Sequence, residues 1–283
     1  MRYILIICFS ILVTLYGVAQ IQQGFINISD GKLFFQEQGA GPPLVFLHGV
    51  ALDHRMWQQQ VDYFSNSFTC ISVDLRGFGK SSVPTTKPYS FHADINTLLD
   101  SLHINEPVVL IAQSMSGKAA VNFSLAYPDK TKALVLADVV IDGYSFADFK
   151  LEPIYELGRQ KGIDSANQLF LGHPIFQFAR NNPEVFKLLR DMILSYSGWQ
   201  WVHKNPIQGL TPPAIEQLDR IKVPVLIITG EKDVRDFQQV ANILHKNIKQ
   251  SVKEEIPGAG HMCNMEEPDA FNSLVSDFLR LHK

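Results

Sequence analysis

Apolar positions along this chain come in short runs separated by segments with helical spacing. Residues 25–28 and 33–36 flank Asp30-Gly31, a hairpin turn signal. Residues 39–43 read as a loop, and the run Leu44-Val45-Phe46-Leu47 predicts a short buried strand ending at His48-Gly49. Residues 53–64 carry Met56, Trp57, Val61 and Phe64 on one side of a helix. Residues 68–73 predict another strand, closed by Asp74-Leu75-Arg76-Gly77-Phe78-Gly79-Lys80-Ser81. Ser90 is placed to cap a helix running to Leu102. A strand over 108–111, a helix over 119–127 and a strand over 133–137 continue the alternation.

The alternation then stops. Residues 143–213 lack strand signals and are rich in aromatics, Tyr144, Phe146, Phe149, Tyr155, Phe170 and Trp201 among them, with Pro and Gly dividing the segment into short helices. Most of these rings are expected to pack, with a subset facing a pocket. Strand–helix alternation resumes at Val223, with a strand over 225–229 and a final helix over 268–281. This order predicts an α/β protein with a mostly parallel sheet of about eight strands, covered by helices on both faces. The core is expected in residues 20–142 and 214–283, with residues 143–213 inserted as a helical cap over the carboxyl edge of the sheet.

Composition narrows the class. The 283 residues are 46% hydrophobic and 19% charged, the balance of a soluble globular domain with a sizeable core. The net charge of −3, with no run of Lys or Arg, excludes an electrostatic footprint for nucleic acid. Arg2, the apolar stretch 4–18 and the small residues Gly17-Val18-Ala19 read as a secretory signal peptide over residues 1–19, cleaved after Ala19. The stretch is shorter than the roughly 20 residues that span a bilayer, so no stable membrane insertion is expected after cleavage. The protein is expected to be exported, to a periplasmic or extracellular location. Cys70 and Cys263 then remain, and both are expected as free thiols.

Chemistry concentrates at Ala112-Gln113-Ser114-Met115-Ser116-Gly117, between a strand and a helix. A serine at a sharp strand-to-helix turn presents its hydroxyl at the carboxyl edge of a sheet, the geometry of the nucleophile elbow. A serine hydroxyl needs a base, and His261, after Ile256-Pro257-Gly258-Ala259-Gly260, is the candidate. Asp233, after the strand over 225–229, would orient the imidazole. Asp138 also ends a strand and is the alternative acid. The backbone amides of Val50 and Met115 are the candidate oxyanion donors; loss of one such donor typically lowers the rate about a hundred- to thousandfold.

The segments Leu47-His48-Gly49, Asp74 to Ser81, Gln113-Ser114-Met115, Gly230-Glu231-Lys232-Asp233 and Gly258-Ala259-Gly260-His261 together resemble the α/β-hydrolase fold family. The likeness is to its capped esterase and lactonase branch, and residues 53–60 with the loop Arg76-Gly77-Phe78-Gly79 look similar to 3-oxoadipate enol-lactonases and bacterial esterases. The resemblance implies the α/β-hydrolase fold, the triad order Ser114, Asp233, His261, and a structural role for His48 beside the oxyanion loop. Asp74 and Arg76 are expected to shape a loop. Ala112 and Ser116 stand where the elbow usually has glycines, and both are small enough for the turn to survive. Lys118 has no role in this reading.

The expected function is hydrolysis of a small carboxylic ester or lactone through an acyl-enzyme on Ser114. No metal or organic cofactor is expected. An aspartate would be needed at position 114 for haloalkane dehalogenation or epoxide hydrolysis. A proline-iminopeptidase-type aminopeptidase would need an acidic anchor such as Glu152, Glu156 or Glu184. Two more activities fit these residues: a C–C hydrolase with the same triad, and a hydrolase-fold ligand receptor with little turnover.

Overall fold

Strands β1 (Gln22–Ile28), β2 (Gly31–Gln38), β3 (Pro43–Leu47), β4 (Thr69–Asp74), β5 (Val108–Gln113), β6 (Thr131–Ala137), β7 (Val225–Gly230) and β8 (Ser251–Ile256) form one sheet in the order β1-β2-β4-β3-β5-β6-β7-β8. The computed structural model describes residues 21–282, so the signal-peptide expectation for residues 1–19 lies outside the described residues. The β1–β2 and β2–β4 pairs are antiparallel, and the pairs among β3 to β8 are parallel. The central strands explain the continuous apolar runs. Every residue of β3, β5 and β7 is buried, because helices cover both faces of a parallel sheet. Edge strand β8 alternates instead, and its charged residues Lys253, Glu254 and Glu255 discourage pairing with another chain.

The helices are α1 (Gln58–Phe64), α2 (Phe91–Ser101), α3 (Gly117–Ala126), α4 (Glu152–Lys161), α5 (Ile163–Leu171), α6 (Pro183–Ser195), α7 (Trp199–Val202), α8 (Arg235–Asn247), α9 (Cys263–Glu266) and α10 (Pro268–Leu281). Their apolar stripes decide what they cover. In α8, Phe237, Val240, Ala241 and Leu244 are buried, the spacing of one helical face. Phe271, Val275, Phe278 and Leu279 do the same in α10.

Two predicted helices start differently. Residues 54–57 form a 3-10 turn before α1, capped by the Asp53 carboxylate, which accepts from Arg55 N. Ser90 occupies the N-cap position of α2, but its hydroxyl makes no capping bond and pairs with His92 Nε2 at 3.3 Å.

Between β6 and β7 the chain adds no strand to the sheet and forms α4 to α7. This helical segment has its own packing. Phe170, Phe176 and Trp201 are fully buried, and Trp201 Nε1 donates to Asn167 Oδ1 at 2.8 Å. It is tied back to the sheet by Asp236 at the start of α8. That carboxylate accepts from the backbone amides of Ala147, Asp148 and Phe149 at 2.6–3.1 Å, and from Tyr144 Oη. Burial alone would raise the Asp236 pKa, but these amide donors hold it below the ordinary carboxylate value. No described helix is long and apolar enough to cross a membrane.

Candidate active site

β5 enters the site and α3 leaves it, and the turn between them is tight. Ser114 has φ of 53°, a left-handed conformation rarely adopted by residues other than glycine, and this puts its side chain on the outside of the bend. Two small residues permit the close crossing. A Cβ on Gly117 would come within 2.2 Å of Val139 Cβ, so only glycine fits where α3 passes the end of β6. Ser116 does more than fill the space of a glycine. Its hydroxyl lies 2.7 Å from Leu47 O and 2.9 Å from Gln113 O, and it accepts from Gln113 N at 3.0 Å. The elbow is thereby fastened to the end of β3.

Ser114, His261 and Asp233 come together. His261 Nδ1 lies 2.8 Å from Asp233 Oδ2, and His261 Nε2 lies 2.9 Å from Ser114 Oγ. A carboxylate can only accept, so Nδ1 carries the proton and Nε2 is free to accept from the serine hydroxyl. Asp233 Oδ1 accepts from Val234 N at 2.6 Å. The imidazole is held from several sides. Phe237 packs on it with ring centroids 4.2 Å apart, and Gln113 Nε2 donates to the His261 carbonyl at 3.0 Å. The loops carrying Asp233 and His261 also touch. Lys232 N donates to Ala259 O at 2.8 Å, and a Cβ on Gly230 would meet Gly260 O at 2.1 Å.

Asp138, the alternative acid, is fully buried behind Asp233. It has φ of 45° and accepts from Gly230 N at 3.2 Å through both oxygens. One of its carboxylate oxygens lies within 4.8 Å of a carboxylate oxygen of Asp233. Burial first, and the Asp233 charge second, push its pKa well above the carboxylate range, which favours the protonated form. Sequence reasoning treated Asp138 and Asp233 as alternatives; the structure places them side by side. Burial, then the charge and hydrogen bond of Asp138, push the Cys263 thiol well up, and burial pushes Cys70 up to about 12. Neither cysteine is in a disulfide.

His48 is spoken for at both nitrogens. Nδ1 donates to Gly49 O at 2.7 Å and Nε2 accepts from Leu75 N at 2.9 Å, while burial lowers its pKa. It holds the loop after β3, where Val50 sits. Asp74 accepts from His54 N, His54 Nδ1 and Lys80 N at 2.7–2.8 Å. Arg76 grips Asp94 through two bonds of 2.6 and 2.8 Å. Both residues therefore shape the loop after β4.

Two groups among the described residues have metal-ligand spacing, Asp53-His54-Asp74 and Asp138-Asp233-His261. In each, the donor atoms are already engaged with one another, with Arg55 or with backbone amides.

A cavity of about 760 Å³ opens above Ser114. Val50 and Met115 line it together with Ser114, at the sheet edge. Phe146, Phe149 and Tyr155 line it from the helical segment, the subset of aromatics that sequence could not name. Lys118, without a role in the sequence, also lines it, as does Glu152. Glu156 and Glu184 do not.

A family model described as the alpha/beta hydrolase fold matches residues 42–268. The chain belongs to that family, and it is a hydrolase. It is 27% identical to 3-oxoadipate enol-lactonase 2 of Acinetobacter baylyi over 249 residues, spanning 86% of this chain and 90% of that protein. It is 26% identical to carboxylesterase YbfK of Bacillus subtilis, spanning 90% of this chain and 86% of that one. A solved thermophilic esterase from Thermogutta terrifontis superposes with a TM-score of 0.76 at 26% identity, covering 93% of this chain and all of that structure.

Proposed function

We propose that the protein is a serine hydrolase that cleaves a small carboxylic ester or lactone through an acyl-enzyme on Ser114. The observation that carries this reading is the hydrogen-bonded chain from Ser114 Oγ through His261 to Asp233 beneath the cavity. In the proposed reaction His261 Nε2 takes the serine proton as Oγ attacks the carbonyl carbon. The oxygen takes up negative charge opposite the Val50 and Met115 amides, Met115 lying in the first turn leading into α3. The tetrahedral adduct collapses, and His261 gives its proton to the leaving oxygen. A water then repeats the sequence on the acyl-enzyme. Asp233 holds the imidazole tautomer and offsets the imidazolium charge.

The esterase and enol-lactonase relatives support an ester or lactone as substrate. An aminopeptidase would need a carboxylate anchor for its amine. Among the described residues Glu152 is the only glutamate lining the cavity, beside more numerous cations, which disfavours that reading. Export remains part of the proposal, on the strength of residues 1–19.

The test is labelling with a fluorophosphonate, peptide mapping, and turnover of p-nitrophenyl esters from acetate to decanoate. Adduct on Ser114 with many turnovers, lost in Ser114→Ala and His261→Ala, is expected. Adduct without turnover would move the reading to another acyl or C–C substrate or to a receptor. A Ser114 that takes no label would end the catalytic reading.

A further inference from the structure

Four cationic side chains, Lys118, Lys150, Arg159 and Lys204, line the cavity above Ser114, against one carboxylate, Glu152. The whole chain has a net charge of −3, so the cavity departs in sign from the molecule around it. None of these five residues forms an ion pair among the described residues. Lys150 Nζ donates to Phe146 O at 2.8 Å. Lys150, Arg159 and Lys204 are exposed, whereas Lys118 is half-buried.

The position of Lys118 is set by the elbow. It lies four residues after Ser114, across the 3-10 turn that runs straight into α3. Lys118 and Ser114 line the same cavity. Lys118 is half-buried in a cavity that Val140, Phe146 and Ile207 also line, and it has no ion-pair partner among the described residues. A bound anion would supply one. The three exposed cations would raise the local concentration of anions at the entrance.

We propose that the ester or lactone taken by this site carries a free carboxylate, held by Lys118 in the cavity above Ser114 and drawn in by Lys150, Arg159 and Lys204. This rests on the hydrolase reading above and narrows its substrate class. One ammonium in a largely apolar wall matches the single charge of a carboxylate.

The test compares the mono-p-nitrophenyl ester of glutaric acid with its methyl-capped neutral counterpart, which differs only in the free carboxylate. Turnover is measured with the wild type, and binding is measured by calorimetry with Ser114→Ala. The anionic ester should be preferred by about tenfold or more in both kcat/KM and affinity, the scale of one charge-assisted contact. Lys118→Met should bring both ratios toward one. Raising salt from about 20 mM to about 500 mM should shrink the preference in the unmutated protein, a readout that needs no variant. Turnover of both esters without preference would overturn this inference and leave the hydrolase reading standing. Preferential binding without turnover would sink the hydrolase reading and leave the anion site. Equal or weaker binding of the anionic ester would overturn the inference whatever the turnover.

Discussion

Asp138 stands beside Asp233, with carboxylate oxygens of the two within 4.8 Å of each other in a buried space. Two adjacent carboxylates repel, so the pair is most stable when one keeps a proton. Burial, and then its neighbour's charge, push Asp138 upward. It can then donate to Asp233 while accepting from Gly230 N, and Asp233 remains the acceptor for His261.

Asparagine at 138 mimics that protonated acid, whereas asparagine at 233 presents a donor to an imidazole that needs an acceptor. Asp138→Asn should keep ester turnover within about threefold of wild type, and Asp233→Asn should lower it by about 10⁴-fold. Asp138→Ala should fall about tenfold, the size of one lost orienting contact. Between the ordinary carboxylate pKa of about 4 and the raised folded value, the folded chain holds more protons than the unfolded chain. The stability from this group thus falls as pH rises through that window. The stability of Asp138→Asn relative to wild type should therefore increase from about pH 4 to about pH 7, read by urea denaturation. A constant difference would mean that Asp138 is ionised.

Ser116 replaces an elbow glycine and uses its hydroxyl to bridge Leu47 O and the backbone of Gln113. Ser116→Ala leaves those buried groups short of a partner, a loss of about 1–3 kcal/mol. Thermal unfolding should drop accordingly. Ser116→Gly should also destabilise, although glycine is the commoner elbow residue. A variant more stable than wild type would contradict the bridging role.

Asp236 was a mere neighbour of Asp233 in the sequence, yet it ties residues 147–149 to the core. Its lowered pKa means that its stabilisation is present above the unfolded value and is lost as pH falls through the folded one. Asp236→Ala should increase hydrogen exchange at Ala147, Asp148 and Phe149 more than in β5 or β7. It should also raise KM, since Phe146 and Phe149 line the cavity. Uniform exchange across the molecule would refute the local tether.

Cys70 and Cys263 are both buried with raised thiol pKa values, so their reactive thiolate is scarce. Ellman's reagent should label neither in the folded protein at neutral pH and both in guanidinium. Rapid labelling of Cys263 in the native state would mean that the space behind the two aspartates opens.

The sheet was readable from the sequence because fully buried parallel strands are written as unbroken apolar runs. β8 was the hard one, since an edge strand carrying Lys253, Glu254 and Glu255 loses that signature. Ser114, Asp233 and His261 were readable because each follows a strand end within a recognisable segment. The cavity wall was not. Which aromatics face Ser114 depends on how α4 to α7 fold and on the Asp236 tether, neither of which has a local pattern. The pairing of Asp138 with Asp233 was hidden for a related reason: residues far apart in sequence meet only through the order of β6 and β7 in the sheet.

Ser114 and His261 are separated by 147 positions, and the imidazole arrives on the penultimate stretch of chain, just before α9 and α10. Under the proposed chemistry, the nucleophile is made early in synthesis and stays inert until the C-terminal segment docks. An incomplete chain thus carries its serine without the base that would arm it. Esterase activity becomes a report that synthesis has passed His261 and that the loop carrying it has docked.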